Sequence, residues 1–180
     1  MNLQQKYEEL CGVPSDIFKH LPTLKKYSEE STTIVELGVR YGDSTIALLA
    51  GNPGKMTSYD IAELFDWKKW KEIAKEEGTD FNFIKADVLD IDIESCDLLF
   101  IDTLHNYDQL KKELLHHGNK AQKYIIFHDT TSFEWYGESY DGTSKIGIWP
   151  AIEEFLQGNP HWKIKERFTN NNGLTVLVRQ

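Results

Sequence analysis

The chain has 180 residues, 40% of them hydrophobic and 27% charged, a composition typical of one soluble folded domain rather than of a disordered chain. Twenty Lys and Arg against 29 Asp and Glu give a formal charge of −9, so nucleic acid and anionic membrane surfaces are not expected as partners. No signal peptide and no membrane span is predicted. The two cysteines, Cys11 and Cys96, make neither a disulfide framework nor a zinc site, and we expect a cytoplasmic protein.

The first 30 residues are expected to form a helical N-terminal extension of a single domain that covers residues 1–180. An apolar stripe with helical spacing predicts a first helix over residues 3–11, and its members are Leu3, Tyr7, Leu10 and Cys11. The helix is expected to end at Gly12-Val13-Pro14. Ser15 then stands where it would cap a second helix that runs to about Tyr27.

After residue 30, short apolar runs alternate with amphipathic stretches, a pattern typical of β-α-β units on a parallel sheet. The five predicted strands cover residues 33–37, 55–60, 81–86, 97–102 and 124–128, with helices near 43–50, 65–77 and 106–120. Two apolar stripes on these helices are expected to face the core. One consists of Trp67, Trp70 and Ile73, and the other of Tyr107, Leu110, Leu114 and Leu115.

The C-terminal part of the sequence predicts an antiparallel hairpin. Residues 162–168 alternate apolar and charged side chains, and residues 174–178 form a buried apolar run. Between them, Asn170-Asn171-Asn172-Gly173 tolerates the positive φ angles of a turn. Together with the five parallel strands, the hairpin makes a seven-stranded mixed sheet. We therefore predict a Rossmann-like α/β fold, a three-layer sandwich with N-terminal helices.

The segment after the first predicted strand is a candidate ligand site, because open α/β sheets bind ligands at the carboxyl ends of their strands. It begins at Glu36 and contains Gly38 and Gly42, which allow a tight turn and a close approach of the backbone. Asp43 or Ser44 can cap the helix that follows. The glycine spacing is that of neither the dinucleotide fingerprint nor a Walker loop, which argues against a nicotinamide dehydrogenase. A tight turn without a ligand is the alternative.

Acidic residues stand at or beside the ends of all five predicted parallel strands. They are Glu36, Asp60, Asp87, Asp102 and Asp129. Asp60 ends the second strand, which is the place of a carboxylate that accepts both ribose hydroxyls. Asp87 could accept from an adenine amino group. Helix capping accounts for one such acid more easily than for the whole set.

These residues and the terminal hairpin resemble the class I S-adenosylmethionine-dependent methyltransferases, from about residue 32 onward. The resemblance implies S-adenosylmethionine as cofactor, with Glu36, Gly38 and Gly42 in the first motif, Asp60 on the ribose and Asp87 on the adenine. Ser44, Val88 and Asp102 complete the cofactor-binding set that it implies. Arg40 is a departure, because many members of the family have glycine at this place.

The second half resembles a branch of that family with macrolide-sugar and other antibiotic O-methyltransferases and a cephalosporin-hydroxylase-related group. The resemblance rests on the segments Ile101-Asp102-Thr103-Leu104-His105-Asn106-Tyr107 and Phe127-His128-Asp129-Thr130. It implies a divalent metal, Mg²⁺ in the relatives, at Asp102, His128 and Asp129. Relatives have a carboxylate in place of His128, and an imidazole suits zinc, manganese or iron better than Mg²⁺. Alternatively, His128 hydrogen-bonds the acceptor.

His105 is the candidate general base. It follows Asp102 by three residues, where the relatives place this group, and an ordinary histidine pKa of about 6.5 suits removal of a hydroxyl proton. A solvated or capping histidine is the alternative. His116 and His117 come late in a predicted helix, where cationic side chains favour the helix terminus, and we assign them no chemistry.

Residues 130–146 form a predicted loop that is long for a compact domain and therefore a candidate lid. Its aromatic residues are Phe133, Trp135, Tyr136 and Tyr140. Such side chains can stack on a sugar or ring acceptor and exclude water when a lid closes. A loop packed by its own aromatic side chains is the alternative.

The sequence thus predicts an enzyme that transfers a methyl group from S-adenosylmethionine to a hydroxyl oxygen of a small molecule or sugar. Metal assistance by Mg²⁺ or another divalent ion is left open. Two alternatives remain: a nucleoside-binding subunit without turnover, and a related metal-dependent hydroxylase-like enzyme that needs O₂ and a redox metal. The expected partner is the small-molecule hydroxyl acceptor, and a homo-oligomer is left open.

Overall fold

The structure is a computed structural model that describes residues 1–180. Its N-terminal elements are helix α1 at Leu3–Gly12, a 3₁₀ turn at Phe18–His20 and helix α2 at Leu21–Glu29. The prediction that Ser15 caps the second helix is wrong. The helix begins instead beside Pro22, whose fixed φ and missing N–H suit the first helical turn.

The remaining elements follow the predicted alternation of strands and helices. The strands are β1 Thr33–Leu37, β2 Lys55–Asp60, β3 Asp80–Lys85, β4 Cys96–Ile101, β5 Ala121–His128, β6 Tyr136–Gly137, β7 Lys145–Ile146, β8 Trp162–Phe168 and β9 Leu174–Arg179. The helices are α3 Asp43–Leu49, α4 Trp67–Glu76, α5 Tyr107–His117 and α6 Trp149–Gly158. The segment predicted as a loop over residues 130–146 contains the short β6–β7 pair.

Seven strands form one mixed sheet in the order β3-β2-β1-β4-β5-β9-β8. The first five in this order are parallel, whereas β9 runs antiparallel to both β5 and β8. This confirms the predicted seven-stranded Rossmann-like sheet with a C-terminal hairpin. Strand β1 lies in the middle of the parallel part, so its carboxyl end has strand ends on both sides.

Two apolar clusters cover the two faces of the sheet. Helices α1 to α4 contribute to one cluster, which includes Leu24 and Trp70, and helices α5 and α6 contribute to the other, which includes Leu110 and Leu114. The expectation that Leu115 faces the core is wrong, since its side chain is 80% exposed. Leu110 and Leu114 already form the buried row of α5, and the next residue turns outward. None of the helices combines the length and the apolar surface that a membrane-spanning segment requires.

The turn between β8 and β9 joins the N-terminal segment to the end of β5. As predicted, the turn has positive φ angles, at Asn171, Asn172 and Gly173. Asn171 accepts from the backbone N–H of Lys19 at 2.9 Å. The carbonyl of Asn172 accepts from the N–H groups of Thr131 and Ser132, the residues that lead away from β5. The turn of the hairpin therefore anchors two segments near the carboxyl ends of the parallel strands: the N-terminal segment at Lys19 and the residues that follow β5.

Candidate functional site

A cavity of about 740 Å³ opens at the carboxyl ends of the parallel strands, within the usual size of small-molecule sites. Most residues predicted for the site line this cavity: Gly38, Asp60, Asp87, Val88, Asp102, His105 and Asp129. Glu36, Gly42, Ser44 and His128 do not line it. The strand ends thus bring the predicted cofactor-binding acids and the predicted catalytic group to one space.

The glycine loop between β1 and α3 needs its two glycines for steric reasons. A Cβ atom on Gly38 would lie 2.0 Å from the carbonyl oxygen of Asp102, so only glycine allows β1 and β4 to end this close together. At Gly42, φ is +87° and a Cβ would lie 2.3 Å from the ring of Phe65. Gly42 therefore allows the loop to pack against Phe65 outside the cavity, whereas Gly38 is part of the cavity wall.

Glu36 lies fully buried beneath the same loop. Its two carboxylate oxygens accept hydrogen bonds from the hydroxyls of Ser44, Thr45 and Ser58, at 2.6 to 2.7 Å. Burial raises the pKa of Glu36 to about 7, although the three hydroxyl donors oppose the shift. Ser44 uses its hydroxyl here and is itself buried. Glu36 therefore stabilises the loop that borders the cavity, and it does not contact a ligand there.

Asp60, at the end of β2, holds the glycine loop with the carboxylate that was predicted to bind a ribose. Oδ2 accepts from the backbone N–H groups of Val39 and Arg40, at 2.8 and 2.9 Å. Oδ1 accepts from the N–H of Ala62 at 2.8 Å. Each oxygen has two acceptor positions, so Oδ1 keeps one for a ligand hydroxyl. Asp60 therefore links the loop conformation to the adjacent part of the cavity.

The end of β3 supplies a mixed polar and apolar edge. Asp87 accepts from the N–H of Leu89 at 2.9 Å through Oδ1, and the side chain of Val88 is buried. Ile61 lines the same side of the cavity and is 69% exposed, so it offers an apolar surface to a flat ring.

Beneath this edge, His117 donates from Nε2 to the carbonyl of Val88 at 2.8 Å. The expectation of a charged, helix-terminal histidine is wrong for His117. Its side chain is buried, and burial lowers its pKa. His117 is therefore a support for the segment that carries Val88.

At the ends of β4 and β5, one histidine lies between two carboxylates. Nε2 of His105 is 3.0 Å from Oδ1 of Asp102 and 3.0 Å from Oδ2 of Asp129. Asp129 has φ of +59°, an uncommon conformation that turns its side chain out of the strand and toward the cavity. The three residues that the sequence suggested for chemistry, from two different strand ends, thus form one cluster.

The charges of this cluster stabilise the protonated imidazole. Burial alone would lower the pKa of His105, but the hydrogen bonds to Asp102 and Asp129 outweigh it and raise the pKa to about 10. Burial likewise opposes the ionised form of Asp102, yet the hydrogen bond from His105 and the positive charge of the nearby His128 ring keep the pKa of this carboxyl well below its usual range. The two carboxylates therefore favour the imidazolium form of His105.

The long segment after β5 contributes further contacts to His105. Nδ1 of His105 donates to Oε2 of Glu138 at 3.1 Å, and the backbone N–H of Glu138 donates to the carbonyl of His105 at 2.8 Å. The ring of Phe133 stacks on the imidazole with centroids 4.8 Å apart. Sequence reasoning identified Phe133 only as a lid aromatic and missed Glu138, because an acid in an irregular segment has no periodic pattern that indicates its partner.

The donors Asp102, His128 and Asp129 fit a divalent cation. Their ligand atoms lie within 4.8 Å of one another. Both ring nitrogens of His128 and Oδ1 of Asp129 are buried without a hydrogen-bond partner, so they have free donor or acceptor capacity at this point. A set of one imidazole and two carboxylates suits manganese, iron or zinc better than Mg²⁺.

The other lid aromatics project outward. Tyr140 lines the cavity but is 84% exposed, and Tyr136 is 80% exposed. Trp135 is also exposed. The alternative of a loop packed by its own aromatic side chains therefore applies to none of these three residues. An exposed aromatic surface stands at the cavity mouth.

No family model and no curated protein matches the sequence of this chain. Several solved structures match its fold. An O-methyltransferase from Bacillus cereus in complex with SAH has a TM-score of 0.65 and 17% identity, over 99% of this chain and 89% of that chain. A putative caffeoyl-CoA O-methyltransferase from Staphylococcus aureus has a TM-score of 0.67 and 14% identity, over 100% and 93% of the two chains.

An N-methyltransferase shares the architecture to the same degree. NodS from Bradyrhizobium japonicum, in complex with S-adenosyl-L-homocysteine, has a TM-score of 0.66 and 15% identity, over 99% of both chains. At such low sequence identities, structural similarity shows a shared fold and nothing more. The similarity covers every element from α1 to β9. The chain therefore has the Rossmann-like fold that these methyltransferases share.

Proposed function

We propose that the protein is an S-adenosylmethionine-dependent methyltransferase that acts on a hydroxyl oxygen of a small molecule or sugar. The observation that carries this proposal is the composition of a single cavity. One side has Asp60, Ile61 and Asp87, which suit a nucleoside, and the other side has the His105 cluster, which suits proton transfer. The nucleoside complexes of structures with the same fold support the same choice of ligand.

The charge of the cavity agrees with a cationic cofactor. Six carboxylates line it, those of Asp16, Asp60, Asp87, Asp102, Asp129 and Glu138. Arg40 and His105 are the basic side chains in the lining. A sulfonium ion is attracted to such a field, and an anionic acceptor is repelled. We therefore propose a neutral or cationic acceptor.

In the proposed reaction the acceptor oxygen attacks the methyl carbon as the bond from carbon to sulfur breaks, which converts the sulfonium into a neutral thioether. The protein needs to align the three atoms and to receive the hydroxyl proton. We assign the proton to Nε2 of His105 in its neutral form, and Asp102 and Asp129 stabilise the imidazolium that results. Since the pKa of His105 is raised to about 10, this neutral form increases with pH.

A divalent cation is a further part of the proposal, held by Asp102, His128 and Asp129. When bound, it would supply positive charge that orients the acceptor oxygen and lowers the pKa of its hydroxyl. The exposed aromatic side chains of Tyr136 and Tyr140 at the cavity mouth support a ring or sugar acceptor, as in the antibiotic O-methyltransferase branch.

One observation favours a second candidate function. Asp102, His128 and Asp129 can hold iron through one imidazole and two carboxylates, which keeps a hydroxylase-like activity open, although non-haem iron oxygenases bind iron through two histidines and one carboxylate. Such an activity requires iron and O₂. Purified protein that contains stoichiometric iron and consumes O₂ in the presence of a reductant would favour this candidate over methyl transfer.

Calorimetric titration with S-adenosylmethionine and S-adenosylhomocysteine, with and without Mn²⁺, tests the proposed function. We expect one nucleoside per chain, followed by methyl release when a panel of neutral and cationic hydroxyl compounds is added. Binding without methyl release to any acceptor would favour the non-catalytic nucleoside-binding subunit. No binding at millimolar nucleoside would exclude both.

A further inference from the structure

The buried face of helix α5 contains an acidic residue in a row where apolar residues are expected. The row consists of Leu110, Glu113, Leu114 and His117, and Glu113 is fully buried. The proton transfer proposed above does not use Glu113, and its side chain does not line the 740 Å³ cavity. Burial of a carboxylate costs free energy unless the group is well paired, so an acid in this row is a candidate for a functional role.

One oxygen of this carboxylate holds two side chains of the cavity wall. Oε1 of Glu113 accepts from the hydroxyl of Thr103 at 2.6 Å and from Nε2 of Gln109 at 2.8 Å, and both donors belong to residues that line the cavity. Oε2 is buried without a hydrogen-bond partner. Burial raises the pKa of Glu113 to about 7, although the two bonds oppose the shift. Its contacts therefore do not fully compensate its burial, and stability gives no reason for an acid here.

The loop between β4 and α5 has few hydrogen bonds to other parts of the protein. The N–H of Asp102 donates to a carbonyl of β1 at 2.8 Å, so the loop begins at a fixed point. In residues 103 and 104, the one backbone hydrogen bond is that from the N–H of Asn106 to the carbonyl of Leu104, which lies within the loop. The bond from the Thr103 hydroxyl to Glu113 therefore connects this part of the loop to helix α5.

Packing beneath the loop is incomplete. A gap of about 10 Å³ lies among Thr103, His105, Glu113 and neighbouring apolar side chains. Atoms beside a gap lack contacts on one side, so packing fixes the loop less firmly than it fixes a filled core. The position of His105, two residues after Thr103, then depends on hydrogen bonds on both sides of the loop. Glu138 provides them on the outside, and Glu113 provides one on the inside through Thr103.

We propose that Glu113 is a positioning residue that fixes His105 through the hydroxyl of Thr103. Glu113 supplies an accepting oxygen and touches neither cofactor nor acceptor. Its effect on the reaction rests on the proposed function, because His105 has to meet the acceptor hydroxyl at a defined distance. Its effect on the imidazole does not depend on that function. Removal of the accepting oxygen should therefore release the ring and leave the fold in place.

The proton on Nε2 of His105, which faces Asp102 and Asp129, provides a test without cofactor or acceptor. Nitrogen–proton correlation NMR spectra of the histidine rings detect this proton when the ring is fixed, and the spectrum of His105→Gln assigns its resonance. Glu113→Gln keeps the accepting oxygen and places an amide nitrogen at the position of Oε2, which has no partner. Glu113→Met removes both oxygens, and Thr103→Val removes the hydroxyl that donates to Glu113.

A buried threonine outside the cavity provides the matched control. The hydroxyl of Thr175 on β9 donates to Oγ1 of Thr130 at 3.0 Å, and neither residue lines the cavity. Thr175→Val therefore removes a buried hydroxyl bond of the same kind without any link to the loop of His105.

We expect the Nε2–H resonance in the wild type, Glu113→Gln and Thr175→Val, and its loss in Glu113→Met and Thr103→Val. Turnover of Glu113→Met should fall by roughly 10-fold to 10²-fold, the range caused by small misplacement of a reacting group. Turnover of Glu113→Gln and the affinity of Glu113→Met for S-adenosylhomocysteine should stay within threefold of the wild type. Glu113→Met combined with Thr103→Val should lose no more turnover than the more impaired single variant, because both substitutions break one connection.

An unchanged resonance in folded Glu113→Met would overturn the inference. Loss of the resonance in Glu113→Gln would also overturn it, because charge and not the accepting oxygen would then be responsible. If Glu113→Met does not fold, Thr103→Val decides by the same criterion. A wild type without the resonance would have no fixed ring, and the inference would fail. Absence of S-adenosylhomocysteine binding would refute the proposed function and leave the result for the imidazole standing.

Discussion

Nδ1 of His105 donates to Oε2 of Glu138 at 3.1 Å, so the cluster of His105, Asp102 and Asp129 is connected to the segment that follows β5. The opposite nitrogen of the same ring faces Asp102 and Asp129. When one nitrogen of the ring is held by a hydrogen bond, the other nitrogen points in a defined direction. In a catalytic triad the carboxylate orients the histidine in the same way. Glu138 is therefore a positioning residue, and the segment that carries it takes part in forming the site.

Replacement of Glu138 by Gln should separate positioning from binding. The amide can still accept the bond from Nδ1 but has no charge, so we expect turnover to fall by roughly 10-fold to 10²-fold, the range caused by small misplacement of a reacting group. The affinity for S-adenosylhomocysteine should change less than threefold. Steady-state rates and calorimetry measure the two effects. A matched change at Glu153, which bonds Trp149 at 2.9 Å, is the control.

Replacement of His105 by Gln tests the assignment of the base. Turnover should fall by roughly 10²–10⁴-fold, the usual contribution of a positioned base, because no side chain of suitable basicity then faces the acceptor. The affinity for the cofactor should stay within threefold of the wild type. His161→Gln, at an exposed histidine bonded to Asn119, serves as control. Wild-type turnover in His105→Gln would remove this residue from the mechanism and leave His128 as the next candidate.

Replacement of Asp60 by Asn should affect both the ligand and the loop. A ribose hydroxyl loses a charged acceptor, which is worth about 1.5–3 kcal/mol, so the affinity for S-adenosylhomocysteine should fall at least tenfold. The amide also brings an N–H group to backbone donors, and the melting temperature should fall by a few degrees. Asp80→Asn, at an exposed acid on β3, is the control. Unchanged nucleoside affinity in folded Asp60→Asn would contradict the assignment.

The metal proposal predicts that chelation abolishes turnover and that one particular divalent ion restores it. Asp129→Asn should weaken that rescue at least tenfold, because the substitution removes a charged ligand. Titration with Mn²⁺, followed by electron paramagnetic resonance, measures binding independently of turnover. Asp141→Asn, in the exposed connection between β6 and β7, is the control. Activity that does not respond to chelators would show that the two acids serve the histidine and the acceptor alone.

Glu36 should make the stability of the protein depend on pH. Burial raises the pKa of Glu36 from 4.5 to about 7, so the folded state binds this proton more tightly than the unfolded state does. As pH rises from 4.5 through 7, the wild type should therefore lose about 3 kcal/mol of unfolding free energy relative to Glu36→Gln. Urea unfolding at pH 4.5, 6 and 8 measures the difference. Exposed Glu76→Gln should show no such trend.

Much of the fold and of the cavity wall could be predicted from the sequence because both depend on local patterns. The alternation of apolar runs and amphipathic stretches gave β1 and β2 with the bounds that the structure shows. Acids at the ends of parallel strands must lie along one edge of a sheet, which placed Asp60, Asp87 and Asp102 correctly in a common cavity. Their contacts with cofactor or metal stay predictions.

The remaining features depend on side chains that are distant in the sequence. Nothing local indicates that Asp16 pairs with Arg40, or that Glu138 reaches His105. The same limit explains the error at His117, where position in the helix suggested a charged residue. The tertiary contact with Val88 buries the ring and lowers its pKa instead.

The turn between β8 and β9 also has a consequence for the order in which the protein becomes competent. Translation delivers β1 to β4, and with them the glycine loop and Asp60, well before residues 170–173 leave the ribosome. Asn172 anchors the backbone just beyond Asp129, and β9 pairs with residues 124–128 of β5. Residues of β9 are buried in both apolar clusters, so neither face of the sheet has its full core until the final hairpin has been synthesised. Premature termination in this region should therefore leave a chain that folds neither the nucleoside pocket nor the proton-transfer cluster.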